Sequence, residues 1–167
     1  MRLSAIFLLV AGLGIACTAH RDGLREGTTD TWVGNRYGFE LTIPAGTSFG
    51  TTSLQPYRLS VRDGSSGMQA EIGVHEASRD CSEVLDGYIA TIPGVQILSR
   101  GRLMLWGRPG VLARLASPRG RILATVISLR RQYCLIRIEG AAGSDDEAAL
   151  DAAQRFLDNL LDGLRFT

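Results

Sequence analysis

The chain predicts an α+β domain: an antiparallel β-sheet of about six to seven strands flanked by two helices. Three stretches carry that reading. Residues 121–140, RILATVISLRRQYCLIRIEG, hold two apolar, β-branched runs, 122–129 and 133–139, joined at Arg130-Arg131-Gln132, which is the pattern of a β-hairpin. The first run is apolar on both of its alternating sets, Ile122/Ala124/Val126 and Leu123/Ile127/Leu129, so it belongs in the middle of a covered sheet. Residues 80–92 and 144–164 then switch to helical spacing with apolar stripes.

In chain order, residues 1–16 read as a secretory leader: Arg2 precedes an apolar run, 5–16, too short to span a bilayer as a stable helix. Residues 17–34 mix charge, Thr and Gly without period and suit a flexible tether, with Trp32 and Val33 as an alternative start of the folded part. The folded domain takes 35–167. Residues 36–44 form the first clear strand, with Tyr37, Phe39, Leu41 and Ile43 on one face and Pro44 stopping it. After a turn at Ala45-Gly46-Thr47, residues 57–62 alternate as a half-buried strand. Asp63-Gly64-Ser65-Ser66-Gly67 is a hairpin loop, and 69–76 return with Ala70, Ile72 and Val74 inward.

Val84, Leu85, Tyr88, Ile89 and Ile92 recur at helical spacing behind Asp80, with Glu83 three residues on as in a capping box, and Cys81 lies on the same stripe. Pro93-Gly94 ends that helix. Residues 95–98 and 102–106 read as one strand bent at Gly101, and 111–116 as another. With the 121–140 hairpin they make a four-strand antiparallel meander. The second helix starts at a Ser144/Glu147 capping box. Its stripe of Leu150, Ala153, Phe156, Leu157, Leu160, Leu161 and Leu164 makes it the lid of the hairpin. Residues 165–167 add a short last strand or pack Phe166.

Composition bounds the function. The 167 residues, less a leader, leave room for one core, and 45% hydrophobic with 21% charged residues is ordinary for a globular chain. The formal charge of +1 falls to about zero without Arg2, which gives no electrostatic case for nucleic acid. All 18 basic residues are Arg, so lysine Schiff-base chemistry is excluded unless a cofactor supplies the amine.

Motif chemistry is sparse. His20 falls in the tether and His75 on a strand face with Glu71, without the spacing of metal ligands. The G-x-S-x-G spacing occurs once, at Gly46-Thr47-Ser48-Phe49-Gly50, but no helical pattern follows it as a nucleophile elbow requires, and no P-loop or dinucleotide fingerprint occurs, so no catalytic, cofactor-binding or metal residue is singled out. Arginines gather at the turns, and Arg119, Arg121, Arg130 and Arg131 form a candidate basic rim for a phospholipid, lipopolysaccharide or acidic partner. Ordinary solvated hairpin tips are the alternative. Trp106, before a turn, is either a contact residue or a filler of the sheet end.

Two resemblances add to this. Residues 1–17, with Ala16 directly before Cys17, resemble the lipobox of bacterial lipoproteins, although Gly14 stands where the pattern has Leu and Leu13 is one further back. That implies lipidation of Cys17 and a membrane partner through the lipid; cleavage after Ala19 to a soluble periplasmic or secreted protein is the alternative. With Cys17 on lipid, Cys81 and Cys134 remain, an even number in an oxidising compartment. Both face inward, so a disulfide is expected, against the alternative of two separate buried thiols.

The run Tyr37-Gly38-Phe39-Glu40-Leu41-Thr42-Ile43-Pro44-Ala45-Gly46 resembles the opening strand of Mog1/PsbP-like domains, including bacterial DcrB-like lipoproteins. The ending Phe156-Leu157 through Leu160, Leu164 and Phe166 is similar to how many of them close. The likeness spans roughly 35–167 and implies an antiparallel sheet flanked by helices. It implies little about activity, because such domains serve as assembly factors, regulators or chaperones without shared catalytic residues. The expectation is a non-enzymatic cell-envelope lipoprotein, facing the periplasm, with an accessory role towards an envelope protein and no cofactor. A carrier with an apolar pocket between sheet and helix, or an envelope enzyme with an unrecognised site, are the alternatives.

Overall fold

A computed structural model of the chain describes residues 23–24, 31–34, 38–52, 58–76, 80–129, 132–140 and 147–166. Their elements run β1 (Gly23–Leu24), β2 (Thr31–Gly34), β3 (Phe39–Thr42), β4 (Thr47–Thr52), β5 (Arg58–Asp63), β6 (Gln69–Glu76), α1 (Cys81–Ala90), β7 (Gln96–Leu105), β8 (Arg108–Ser117), β9 (Gly120–Leu129), β10 (Gln132–Glu139), α2 (Glu147–Asp162) and β11 (Leu164–Phe166). Seven strands form one sheet in the order β4-β5-β6-β10-β9-β8-β7, and four form a smaller one, β1-β2-β3-β11. Every pairing is antiparallel. The expected α+β architecture is the observed one.

The topology follows from α1. It carries the chain from β6, inside the sheet, to β7 at the far edge, and the meander β7-β8-β9-β10 then folds back until β10 pairs with β6. Asp80 caps α1 by accepting from the Glu83 amide at 2.9 Å. Its last turn closes with the Thr91 hydroxyl donating to the Tyr88 carbonyl, 2.7 Å. Gly94, at φ +65, then supplies a left-handed backbone that an L side chain rarely adopts.

The doubly apolar β9 is the centre of two cores. Ile122, Ala124 and Val126 pack under Leu85 and Ile89 of α1, with Val111, Ala113 and Leu115 from β8. Leu123, Ile127 and Leu129, one residue out of phase, pack against Ala153, Phe156, Leu157 and Leu160 of α2. That second core also takes Phe39 and Leu41 of β3 and Leu164 of β11, so the smaller sheet lies on the α2 side. A strand buried on both faces must be apolar at every position, and β9 is buried throughout Ile122–Ile127.

One β9 position breaks the pattern. Thr125 is fully buried on the α2 side and its hydroxyl has no hydrogen-bond partner. Thr125→Val replaces the hydroxyl by a methyl of similar shape and removes the desolvation penalty. Stability in urea should rise by about 1–2 kcal/mol. A fall of that size would show that the hydroxyl is satisfied.

Three expectations need amendment. The Cys81–Cys134 disulfide is not present: both cysteines are free and buried. Cys134 packs with Ile136 and Ile138 in the α2-side core, whereas Cys81 packs in the α1-side core. The sheet therefore separates them, because side chains alternate along β10 and Cys134 has the parity that points away from α1. Burial pushes the Cys134 thiol up to about 12, and burial followed by the Asp80 carboxylate raises that of Cys81. Second, β1 and β2 draw parts of the 17–34 tether into the smaller sheet. Third, β4 was not expected, since Gly50 interrupts a short Thr/Ser-rich stretch; its Phe49 packs on the α2-side core. The remaining tether, the leader, Cys17 and the capping Ser144 lie outside the described residues.

Candidate functional site

Where α1 ends, the α1 side of the large sheet opens into a groove of about 850 Å³. Tyr88, Thr91, Ile92 and Pro93, at the end of α1 and its exit, form one wall. Arg121 and Ile122 of β9 and Arg137 and Glu139 of β10 form the floor. Two turns make the rim: Ser117 to Gly120 between β8 and β9, and Arg62, Gly67 and Gln69 around the β5–β6 turn.

Local chemistry holds these parts in place. In the β8–β9 turn the Ser117 hydroxyl donates to the Gly120 carbonyl at 3.0 Å and accepts from the Arg119 amide at 3.2 Å. In the β5–β6 turn Asp63 accepts from the hydroxyls and amides of Ser66 and Ser65. Those bonds, the Ser66 hydroxyl foremost, lower the Asp63 carboxyl to about 2.

The electrostatics are one-sided. Arg62, Arg119, Arg121 and Arg137 line the groove against one carboxylate, Glu139. Arg137 is the centre: its Nη2 lies 2.6 Å from Glu71 Oε2, and its Nε lies 3.5 Å from Glu139 Oε1 without a hydrogen bond. Its guanidinium carbon stands 5.9 Å from the centre of the Tyr88 ring. Burial works against the Arg137 charge, but Tyr88, Glu139 and Glu71 outweigh it and raise its pKa. Burial likewise raises the Tyr88 phenol, opposed by the Arg137 charge, so Tyr88 keeps its proton at neutral pH.

Two polar atoms here, Tyr88 Oη and Arg137 Nε, are buried without a well-formed hydrogen bond, the side chains interacting with each other and Arg137 Nε with Glu139 only at long range. Both can donate. A buried donor left unpaired is costly, and a pair of them in one positively lined groove is an arrangement suited to an anionic acceptor. The wall beside them, with Ile92, Pro93 and Ile122, is apolar.

Of the four arginines expected to form a rim, the structure brings Arg119 and Arg121 to this groove. Arg130 and Arg131 lie outside the described residues, following Leu129 at the opposite end of β9 from Arg121. Sequence reasoning missed Arg62, Tyr88 and Arg137. A signal for Arg137 exists: it is a charge inside an otherwise apolar run, and between Asp86 and Glu139 the chain carries nine Arg and no Asp or Glu. His75 lies on β6 with the parity of Glu71, and His20 lies outside the described residues. Among the described residues, no group of three or more His, Cys, Asp or Glu could hold a metal ion, and no helix is long and apolar enough to cross a membrane.

Comparison with protein-family profiles finds no match, and comparison with curated protein sequences finds none. Among solved structures the chain is similar to the cyanobacterial PsbP protein (CyanoP) of Synechocystis sp. PCC 6803, with a TM-score of 0.60 at 13% identity, over 93% of this chain and 99% of that one. A protein of unknown function from Pseudomonas aeruginosa gives a TM-score of 0.45 at 16% identity, over 71% of this chain and 85% of that one, too low to support a shared fold. The fold is PsbP-like. At such identity the likeness extends to architecture and not to activity.

Proposed function

We propose that this chain is a non-enzymatic accessory module of the bacterial cell envelope that binds an anionic group, borne on an apolar body, in the groove at the end of α1. The observation that carries the reading is the pair of buried donors, Tyr88 Oη and Arg137 Nε, neither of which makes a well-formed hydrogen bond, inside an arginine-lined groove with an apolar wall. The anion would accept from both and replace the missing hydrogen bonds, while Ile92 and Ile122 cover the apolar part. This is the carrier alternative with one change: the pocket between sheet and helix is charged at its floor.

Decyl phosphate and decanol separate the two components. Titration followed by intrinsic fluorescence should show saturable binding of decyl phosphate and far weaker binding of decanol. Tyr88→Phe should weaken decyl phosphate roughly tenfold or more, the worth of one hydrogen bond to a charged acceptor. Arg137→Gln should weaken it more, roughly ten- to a hundredfold, as a charge-assisted bond is lost. Equal binding of decanol, or indifference to Tyr88→Phe, rules the site out.

The envelope address rests on the leader and on Cys17, the proposed lipid attachment point, which would hold the groove near a membrane surface. Cys17→Ser should move the protein from the membrane to the soluble fraction of its native cell. Retention of the variant on the membrane would sink the anchor.

A further inference from the structure

Away from the groove, β7 has an unusual surface. It is the last strand of the large sheet, so its outer row of backbone amides and carbonyls has no neighbouring strand among the described residues. Proteins usually blunt such an edge by keeping it short, by placing charges or Pro on it, or with a bulge. This one runs ten residues without Pro, and its charges are Arg100 and Arg102. One bulge, at Ile97/Ser99, irregularises its start, and Arg100–Leu105 then stays in unbroken register with β8.

The exposed large apolar side chains of the described residues gather on this strand and its turn: Ile97 at 53%, Leu98 at 46%, Met104 at 68% and Trp106 at 51%. Trp106 is held there at a conformational cost. It takes φ +47 in the two-residue turn with Gly107, a position where Asn or Gly is the low-strain choice. Its indole meets Phe166 edge-on at 5.6 Å, with Arg165 5.8 Å from its centre, and Arg108 stacks 4.4 Å from the Phe166 ring. A strained, rigid and half-exposed aromatic at the end of an open edge is suited to contact.

Charge selects the occupant. Arg100, Arg102 and Arg108 lie along the edge and its turn, inside the stretch that lacks any acidic residue. Arg100 is already engaged with Asp86 at 2.5 Å and with the Ser82 carbonyl, while Arg102 is exposed. Two copies pairing antiparallel through β7 would set these arginines against each other, which disfavours a second copy.

We propose that β7 is a docking edge for an extended acidic segment of another protein, added as a further strand of the large sheet. Backbone hydrogen bonds to 100–105 supply the pairing, Met104 and Trp106 take the apolar side chains of the segment, and Arg102 takes its carboxylates. This surface is independent of the anion groove.

Hydrogen exchange on the full chain tests it, with a synthetic peptide alternating Glu and Val as the probe and the same peptide with Lys in place of Glu as its counterpart. The Glu peptide should slow exchange of β7 amides roughly tenfold or more, the Lys peptide should not, and salt should weaken the effect. Arg102→Glu should cut affinity for the Glu peptide about tenfold, whereas Tyr88→Phe should leave it unchanged. Equal protection by both peptides, by neither, or protection without peptide that grows with protein concentration overturns the proposal; the last outcome makes the edge a self-association site.

Discussion

Phe39→Ala should cost about 3–5 kcal/mol of folding stability, a large part of the roughly 5–15 kcal/mol typical of a whole domain. Phe39 is fully buried in the α2-side core, where the smaller sheet meets the helix. It pairs with Gly34 of β2 on one side and Phe166 of β11 on the other, so it sits at the middle of that sheet. Truncation leaves a cavity between a sheet and a helix held apart by Leu41, Leu157 and Leu160, which limits collapse. Urea denaturation followed by far-ultraviolet circular dichroism measures the loss. A change below about 1 kcal/mol would show that β3 is not packed on this core.

The second large effect is a clash rather than a cavity. Gly163 joins α2 directly to β11: its amide donates to the Leu160 carbonyl at 3.2 Å, and its carbonyl accepts from the Thr42 amide at 2.9 Å. A Cβ at this position would run into the Thr42 carbonyl oxygen, far inside contact distance, and that atom is backbone and cannot rotate away. Gly163→Ala must therefore separate β11 from β3 or unwind the end of α2. We expect a loss of at least about 3 kcal/mol, at the upper end of overpacking costs. Gly50→Ala is the control, since a Cβ there meets nothing. Equal effects of the two substitutions would refute the close approach.

The elements that were legible share one property: their periodicity is uninterrupted. The strand 69–76 coincides with β6, and residues 80–92 contain α1 with Asp80 as its cap. The bent strand at 95–106 is β7, whose irregularity falls at Ile97/Ser99 and not at Gly101. Elements that were missed are short or polar, as β1 and β4 are. Their residues are strands only because β2 and β5 offer a backbone to pair with.

For the groove, Arg119 and Arg121 are visible in the sequence as charges at a turn, but Tyr88 has there the pattern of one more apolar member of a helical stripe. Only its position at the end of α1, beside Arg137 of β10, leaves its hydroxyl buried without a well-formed hydrogen bond. Sequence distance hides such a pair: Tyr88 and Arg137 are brought together by the crossover of α1.

The two cysteines mark where local pattern ends and tertiary structure begins. That β9 needs cover on both faces is written in its own alternation, and so is the apolar stripe of each helix, because period 2 and period 3.6 are properties of contiguous residues. Which helix takes which face is not. Both stripes would satisfy either face by burial alone, and the choice lies in the path of the chain: α1 joins β6 to β7 on one face of the sheet, and α2 lies on the other together with β11. That choice separated Cys81 from Cys134 by the thickness of the sheet and placed Tyr88 over Arg137.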